Sequence, residues 1–554
     1  MLLTDGVRGA IESARTPAWP AVRAGYAYLG LACALFAGLA AYFTHAIGSA
    51  VVDDTYIALV YARNLAAGDG LVWTDGQRVE GYTDFLWVLI GAGAFLADLD
   101  PVLVYRVAGI ASGVGLLVAV WAWNNRFSTA PSHARIAPLL LAAMGPVAFW
   151  AIAGLEATAF AALAFTATLA AAAGGRGVAA SGLLFFLAAL AHPDAVVLLA
   201  PVAVYVLLRG RPARNWRALA ALLFSFGVPF GVYWIARWAY FGDLLPNTFY
   251  AKDTFSLEQV RQGYVYVMQF APLAWLFAAF LIVRAFMRGL RASPEAWLLG
   301  GQLGLWLAYM LYSGGDHMPM HRFLVPILPA LALLLQEACW GLASRAGRRK
   351  TGLVFGGATV AAMALLWLGS WTAWTGGIAL VEAHAEVRQE RRELGLWLRA
   401  NSGPDDVVAV SAAGAVPYFS ERPAIDMLGL AGRHIAHNGH TDDAAPVGHK
   451  RYDATYVLDC RPEFIILTNI AERGQPLTDE SGRLLNGEIE MAALPSNQAL
   501  FQDERFWSEY TRVTLSGVPG VAASHIVVIR NDRVKALAAE GLLTVVQVVV
   551  ERPD

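Results

Sequence analysis

The chain has 554 residues, 57% hydrophobic and only 15% charged, with 18 Trp and a mean hydropathy of +0.49. Soluble domains carry about a quarter charged residues, so this balance excludes one large soluble globule and calls for many membrane spans. A net charge of −2 leaves no basic excess for phosphate backbones, and no nucleic-acid partner is expected.

Arg8, Arg15 and Arg23 precede an apolar run over 26–52 that lacks a small-residue cleavage site, which predicts a retained first span with a cytoplasmic N-terminus. Further apolar runs follow at 103–123, 137–150, 155–173, 177–191, 194–208, 218–240, 270–288, 296–313, 323–343 and 351–375. The expected fold is therefore a polytopic α-helical membrane protein of about eleven helices. The run at 84–99 is shorter and suits a helix lying at the interface. From Glu382 the composition turns soluble. An amphipathic stretch from Glu382 to Ala400 leads to strand-like runs at Asp406–Ser411, Phe464–Leu467 and Ile526–Ile529. Two units are expected, a transmembrane one over 1–378 and a soluble α/β one over 379–554. Cys33, Cys339 and Cys460 lie far apart and imply neither a disulfide framework nor a zinc site.

Basic clusters at Arg126 and Arg135, Arg176, Arg209 to Arg217, Arg284 to Arg291 and Arg345 to Lys350 fall at every second loop. Placing them in the cytoplasm satisfies the positive-inside rule if 84–99 does not cross. One outer face then gathers the loop 50–101, Glu156, His192-Pro193-Asp194, Tyr240 to Gln262, Ser313 to Arg322 and the soluble unit.

On that face, Asp53 and Asp54 leave an apolar helix, where charge is costly. They either cap the helix predicted over 55–67 or supply a base that activates an acceptor hydroxyl, the second carboxylate assisting. Glu80 adds a third carboxylate to the same loop. In Ser313 to Arg322, Arg322 suits a lipid phosphate, either as an ordinary headgroup anchor or as a substrate ligand. That segment also holds Asp316, and His317 and His321 stand four apart, although Pro319 between them and the absence of a nearby acidic ligand set argue against a metal site. Between Tyr240 and Lys252, aromatic, amide and hydroxyl groups suit a sugar, or equally an interfacial belt; Lys252 is a second phosphate candidate. His192-Pro193-Asp194 reads as a tight turn or a pocket wall, and Glu156 as a cap or a wall. No Walker loop, no nucleophile elbow and no HExxH is present, so an ATP-driven pump or a serine or zinc hydrolase has no support.

Taken together, these features resemble the GT-C class of membrane glycosyltransferases. The string Asp53-Asp54-Thr55-Tyr56-Ile57, Ala62 to Gly70 and Arg78-Val79-Glu80-Gly81-Tyr82-Thr83 is similar to the branch containing mycobacterial arabinofuranosyltransferase B. So are Leu245-Pro246-Asn247-Thr248, Gly314-Gly315-Asp316 with Arg322-Phe323, and Arg422 to Leu430. One departure is His192-Pro193-Asp194, where relatives often carry Arg-Pro-Glu or Arg-Pro-Asp; a switchable His puts a fixed phosphate-binding role there in doubt.

The resemblance implies D-arabinofuranose moved from decaprenyl-phosphate arabinofuranose to a cell-envelope arabinan, on the outer face of a bacterial cytoplasmic membrane. It implies no cofactor beyond the lipid-linked donor, with a divalent metal left open, and a monomer among membrane lipids. Asp53 would be the base with Asp54 assisting. Glu80, Tyr82, Glu156, His192, Asn247, Tyr250, Lys252, Asp316, His317, His321 and Arg322 would hold substrate, with Arg322 and Lys252 on the phosphate. Mannose or aminoarabinose donors share the same lipid handle, so the phosphate ligands do not separate them. A lipid-linked sugar transporter is the rival class, but the charged motifs gather on one face and no internal repeat is visible.

Overall fold

The computed structural model describes residues 19–48, 51–74, 76–209, 212–252, 256–270, 279, 293–316, 318, 320–346, 350–371, 378–445, 448–467, 494–515 and 526–540. The predicted run at 270–288 lies almost wholly outside these residues. Within the described residues the other apolar runs are largely helical. In chain order the helices are α1 (Trp19–Ile47), α2 (Asp53–Ala67), α3 (Phe85–Leu96), α4 (Pro101–Phe127), α5 (Ala137–Ala142), α6 (Gly145–Ile152), α7 (Ala157–Ala173), α8 (Gly177–Ala191) and α9 (Ala195–Leu208). They continue with α10 (Pro212–Phe241), α11 (Asn247–Lys252), α12 (Leu257–Gln269), α13 (Pro294–Ser313), a 3-10 turn (Arg322–Ile327) running into α14 (Leu328–Ala343), α15 (Thr351–Trp371) and α16 (Ile378–Asn401).

Among the described residues four helices are long and apolar enough to cross a membrane: Tyr26–Ile47, Pro101–Phe127, Asn215–Phe241 and Arg322–Ala343. A fifth forms if the broken pair carrying α5 and α6, bent by 51°, counts as one span. That break falls where Gly145-Pro146 opens α6, because proline cannot continue the preceding hydrogen-bond ladder. The sequence expectation of about eleven thus resolves into long spans and shorter apolar helices such as α7, α8 and α9. Lipid-facing stripes are plain on α4, where Leu103, Val107, Ile110, Val114 and Val118 stay exposed at three- and four-residue intervals, and on α10 at Phe224, Val228, Val232 and Ile235. Asp100 starts α4 by accepting from Val102 N at 2.9 Å, with Pro101 in the first turn.

The C-terminal unit is an α/β sheet. Its strands are β1 (Val408–Val410), β2 (Ala424–Asp426), β5 (Phe464–Ile466), β6 (Tyr510–Thr514) and β7 (Ile526–Arg530), in the order β2-β1-β5-β7-β6. A separate hairpin pairs β3 (His440–Thr441) with β4 (Arg451–Tyr452). β1 is parallel to both β2 and β5, with Ala409 opposite Ile425 and Ile465, while β7 and β6 run antiparallel. Helices α17 (Ala415–Ser420) and α18 (Arg433–Asn438) follow β1 and β2.

Alternation along the strands decides what the sheet covers. Val408, Val410, Phe464, Ile466, Val527 and Ile529 share one core with Ile57, Tyr61, Trp73, Tyr82 and Phe241 of the membrane unit. Ala409, Ile465 and Val528 face the other way, onto Ile435, Val457 and Phe506. One face of the sheet therefore belongs to the same apolar core as the region carrying the paired aspartates, together with Leu394 and Leu398 of α16.

Candidate active site

The site is built where three helix N-termini meet. α2 begins after Val52, whose N–H donates to Ala153 O at 3.0 Å, and Thr55 Oγ1 reaches the same carbonyl at 3.5 Å. Gly154, at φ +97°, leaves room for this approach: a Cβ there would stand 2.7 Å from Thr55 Oγ1. Trp87 of α3 donates to Gly154 O at 3.0 Å and Tyr105 of α4 donates to Trp87 O at 2.8 Å. One turn thus ties the starts of α2, α3 and α7 together. Asp54 lies in the first turn of α2, Asp84 immediately precedes α3 and Glu156 immediately precedes α7.

Asp53 and Asp54 are first-turn residues, with Val52 as the cap residue and no side-chain cap bond; the capping alternative gives way to favourable charge at a positive helix end. The two diverge in their surroundings. Asp53 turns to the C-terminal unit: Oδ2 accepts from Gly414 N and Oδ1 from Ala415 N, both at 3.1 Å, and Arg391 Nη1 of α16 lies 3.2 Å from Oδ1. The charge of Asp54 acts instead on Asp84 and Arg322.

Asp84 and Glu156 are 7% and 4% exposed. Burial, reinforced by the Glu156 charge, pushes the Asp84 carboxyl up to about 8. Across from them Arg322 donates to Asp316 Oδ2 at 2.8 Å, its guanidinium over the rings of Trp150 and Phe323. Glu156 and Asp54 add their negative charge to that of Asp316 on this cation. His192 stands in the turn between α8 and α9 with Nδ1 3.1 Å from Asp194 Oδ2, against the rings of Phe160 and Phe323. Burial opposes its charged form, but the Asp194 carboxylate outweighs this and raises the imidazole above its ordinary value. Asp54, Asp84, Glu156, His192, Asp316 and Arg322 thus form one constellation.

His321 sits beneath it, 4% exposed, against Tyr266 and Phe270. Burial holds it down to about 4, so it is a neutral core ring near pH 7. Met320 and His321 are consecutive non-glycine residues with positive φ, +58° and +47°. Trp150 Nε1 donates to Met320 O at 3.0 Å, one of the bonds that hold this strained bend and so aim Arg322. His317 lies outside the described residues. Among those described, no group of three His, Cys, Asp or Glu is arranged to hold a metal.

Of the other predicted residues, Asn247 and Tyr250 reach the C-terminal unit, while Glu80 and Tyr82 are held within the membrane unit. Glu80 is 3% exposed and its Oε2 accepts from Arg237 Nε at 2.8 Å and from Nη2; Arg237 is itself 5% exposed and also donates to Leu244 O at 2.7 Å. Tyr82 packs edge-on against Tyr61 and stacks on Phe85. Asn247 N donates to Glu80 O at 3.0 Å, and its side-chain amide donates to Gly429 O and Leu430 O at 2.8 and 2.9 Å. Those carbonyls are presented by a turn folded around Asp426, which accepts from Leu428 N and Ala431 N. Tyr250 lies on His437 of α18, ring centroids 4.3 Å apart. Lys252 is exposed at the end of α11, and its charge reaches Asp194.

Sequence reasoning overlooked Asp84, Arg237, Arg391 and Gly414. Asp84 carried a usable signal, a carboxylate directly before a wholly apolar run. Arg391 sits in a charged amphipathic helix and Gly414 in a small-residue run, where nothing local marks either.

A family model described as a domain of unknown function, DUF8728, matches residues 379–525. Over 395 residues the chain is 27% identical to the terminal beta-(1->2)-arabinofuranosyltransferase of Mycobacterium tuberculosis (strain ATCC 25618 / H37Rv). That match takes in 58% of this chain and 58% of the relative's length. Among solved structures, ArnT from Cupriavidus metallidurans bound to undecaprenyl phosphate aligns with a TM-score of 0.48 at 16% identity, covering 71% of this chain and 85% of that one. Its apo form aligns at 0.46 and 14% identity, with the same coverage. The resemblance carried by the motifs from Asp53 to Leu430 is thus met by a separate observation: this membrane chain is similar in sequence to a mycobacterial arabinofuranosyltransferase.

Proposed function

We propose that the protein is an integral membrane glycosyltransferase of GT-C type, moving D-arabinofuranose from decaprenyl-phosphate arabinofuranose to an arabinan acceptor on the outer face of the membrane. The observation that carries this reading is the convergence of Asp54 and Glu156 at helix N-termini on the largely enclosed Arg322. Similarity to the arabinofuranosyltransferase supplies the choice of sugar.

The chemistry needs few groups. The acceptor oxygen attacks the anomeric carbon, the bond from that carbon to the phosphate oxygen breaks, and the lipid phosphate leaves with the electron pair. Arg322 takes up the charge that develops on the phosphate, in a site dry enough for the interaction to be strong. Lys252, at the open side, meets the phosphate on its way in and out. The acceptor proton passes to a carboxylate, and Asp54 suits this role better than Asp53. Asp53 is already engaged by two amides and a guanidinium, which occupy both of its oxygens and leave neither turned to an acceptor. Asp53 then orients the first turn. Inversion at the anomeric carbon needs only this displacement; retention would need a carboxylate as nucleophile.

The test is transfer by purified protein in lipid vesicles, with radiolabelled decaprenyl-phosphate arabinofuranose and an arabinofuranosyl acceptor. Asp54→Asn should lower kcat by about 10²-fold or more while decaprenyl phosphate still binds. Undiminished transfer by Asp54→Asn removes the proposed base. Transfer from a polyprenyl-phosphate mannose in place of the arabinofuranose donor would keep the enzyme class and change the sugar.

A further inference from the structure

Asp84 has one carboxyl oxygen without an occupation. Its backbone starts α3, its carbonyl accepting from Trp87 N at 2.7 Å and Val88 N at 3.1 Å, yet its side chain makes no cap bond. An aspartate in that position ordinarily turns back to bind the first-turn amides. Here Oδ2 is buried with no hydrogen-bond partner, in a side chain that is 7% exposed. Leaving such an atom unsatisfied is costly, so a group retained there implies a partner that arrives from outside the chain.

The surroundings select the kind of partner. Its charged neighbours are Glu156 at the start of α7, His192 in the α8–α9 turn and Asp54 in α2. The phenols of Tyr82, Tyr105 on α4 and Tyr233 on α10 also feel its charge. An anion would be repelled by the two other carboxylates, and an apolar group would leave Oδ2 unpaired. A hydroxyl-bearing group fits, because it both donates and accepts. Held neutral by burial and by Glu156, the acid offers one O–H donor as well as an acceptor.

We propose that Asp84 is a substrate-binding residue whose buried carboxyl hydrogen-bonds a sugar hydroxyl next to Asp54. This rests on the glycosyltransferase reading above and adds a contact to it. The hydroxyl belongs either to the sugar being transferred or to the acceptor, and kinetics separate the two.

The experiment measures steady-state transfer between pH 6 and about pH 9 for the wild type, Asp84→Ala and Asp84→Asn in the same vesicles. Asp84→Ala should raise the KM of one substrate by about tenfold, at little cost in kcat. A rise for the lipid donor assigns the transferred sugar; a rise for the glycan acceptor assigns the acceptor. Asp84→Asn, which keeps a donor and an acceptor, should recover part of that loss. The wild type should lose affinity on the alkaline side as Asp84 ionises, and Asp84→Asn should lack that limb. A purely structural Asp84 would change stability without moving the KM or the alkaline limb, and that result overturns the proposal.

Infrared difference spectra supply a readout independent of transfer. The wild type at neutral pH should show a neutral carboxylic C=O band, missing in Asp84→Asn and shifted by added D-arabinose. A band insensitive to the sugar overturns the proposal. If the wild type transfers no polyprenyl-phosphate sugar while the band still shifts, the proposed reaction fails and the hydroxyl site stands.

Discussion

Gly414→Ala tests the joint between the two units at its tightest point. A Cβ at 414 would lie 2.0 Å from Asp53 O and 2.6 Å from Asp53 Oδ2, where ordinary contact begins at 3.4 Å. One side must retreat by about 1.4 Å to restore contact distance. The bonds from Gly414 N and Ala415 N to the Asp53 carboxylate are already 3.1 Å long, so that movement breaks them and pulls Arg391 from its pair. Hydrogen bonds to a charged group are worth about 1.5–3 kcal/mol each, and overpacking costs about 1–3 kcal/mol. Relaxation shares these terms, and a net cost of about 3 kcal/mol is expected, a change of about a hundredfold in the docked population. The assay is amide hydrogen exchange on the detergent-solubilised protein, paired with transfer. Protection should fall together at the start of α2 and at α17, and transfer should fall with it. Gly403→Ala, in the same unit, meets nothing closer than 3.7 Å and should change neither. Wild-type protection and transfer in Gly414→Ala would refute the view that the C-terminal unit holds Asp53.

Glu80→Gln leaves the buried Arg237 unpaired and should cost about 3–5 kcal/mol, read as a lower Tm, whereas Glu80→Leu with Arg237→Met should recover most of it. A variant with unchanged Tm but lost transfer would return Glu80 to the substrate-binding role expected from sequence. Asn247→Ala removes two donors from the carbonyls of Gly429 and Leu430; it should cost about 1–3 kcal/mol and speed limited proteolysis between the units. His321 has a native pKa depressed to about 4 from an ordinary 6.5. The unfolded chain therefore takes up a proton that the folded one refuses, and stability should fall as pH drops from 6.5 towards 4, by about 3 kcal/mol in full. His321→Asn tolerates the left-handed backbone and cannot titrate, so its Tm should lack this acid limb between pH 7 and pH 5.

Composition and hydropathy made the helices legible, because lipid-facing and core residues alike are apolar and need no partner to be recognised. The three strands expected from sequence, β1, β5 and β7, are short β-branched runs inside the sheet. β2 is three residues after Arg422-Pro423, and β6 mixes Tyr, Thr and Arg at the sheet edge, so both lack such a signature. Loop motifs marked the right segments but not their partners. Glu80 and Asn247 stand in segments that suggested sugar contacts, yet their partners are Arg237, 157 positions on, and Gly429 and Leu430, more than 180 positions on. No local pattern encodes those distances. The cluster of Asp54, Glu156 and Arg322 was foreshadowed by placing all three loops on one face; Asp84 was not, because its apolar run drew attention to the helix it opens.

The division between Asp53 and Asp54 follows from helix geometry. Successive residues in an α-helix point about 100° apart, which favours separate partners for two adjacent carboxylates in a first turn. A rigid start to α2, fixed by Ala153 O and by Gly154, turns this angle into two directions: one towards Arg391 and the amides of the C-terminal unit, the other towards Arg322. Moving the C-terminal unit therefore rotates or releases the turn that aims Asp54. The C-terminal unit would thus act on the proposed base through Asp53 and the helix end it holds. With a neutral residue in place of Asp53, Asp54 would still face the cleft but would lose the clamp that holds its helix end. With Asp54 neutral, the clamp would remain but the carboxylate it aims would be gone.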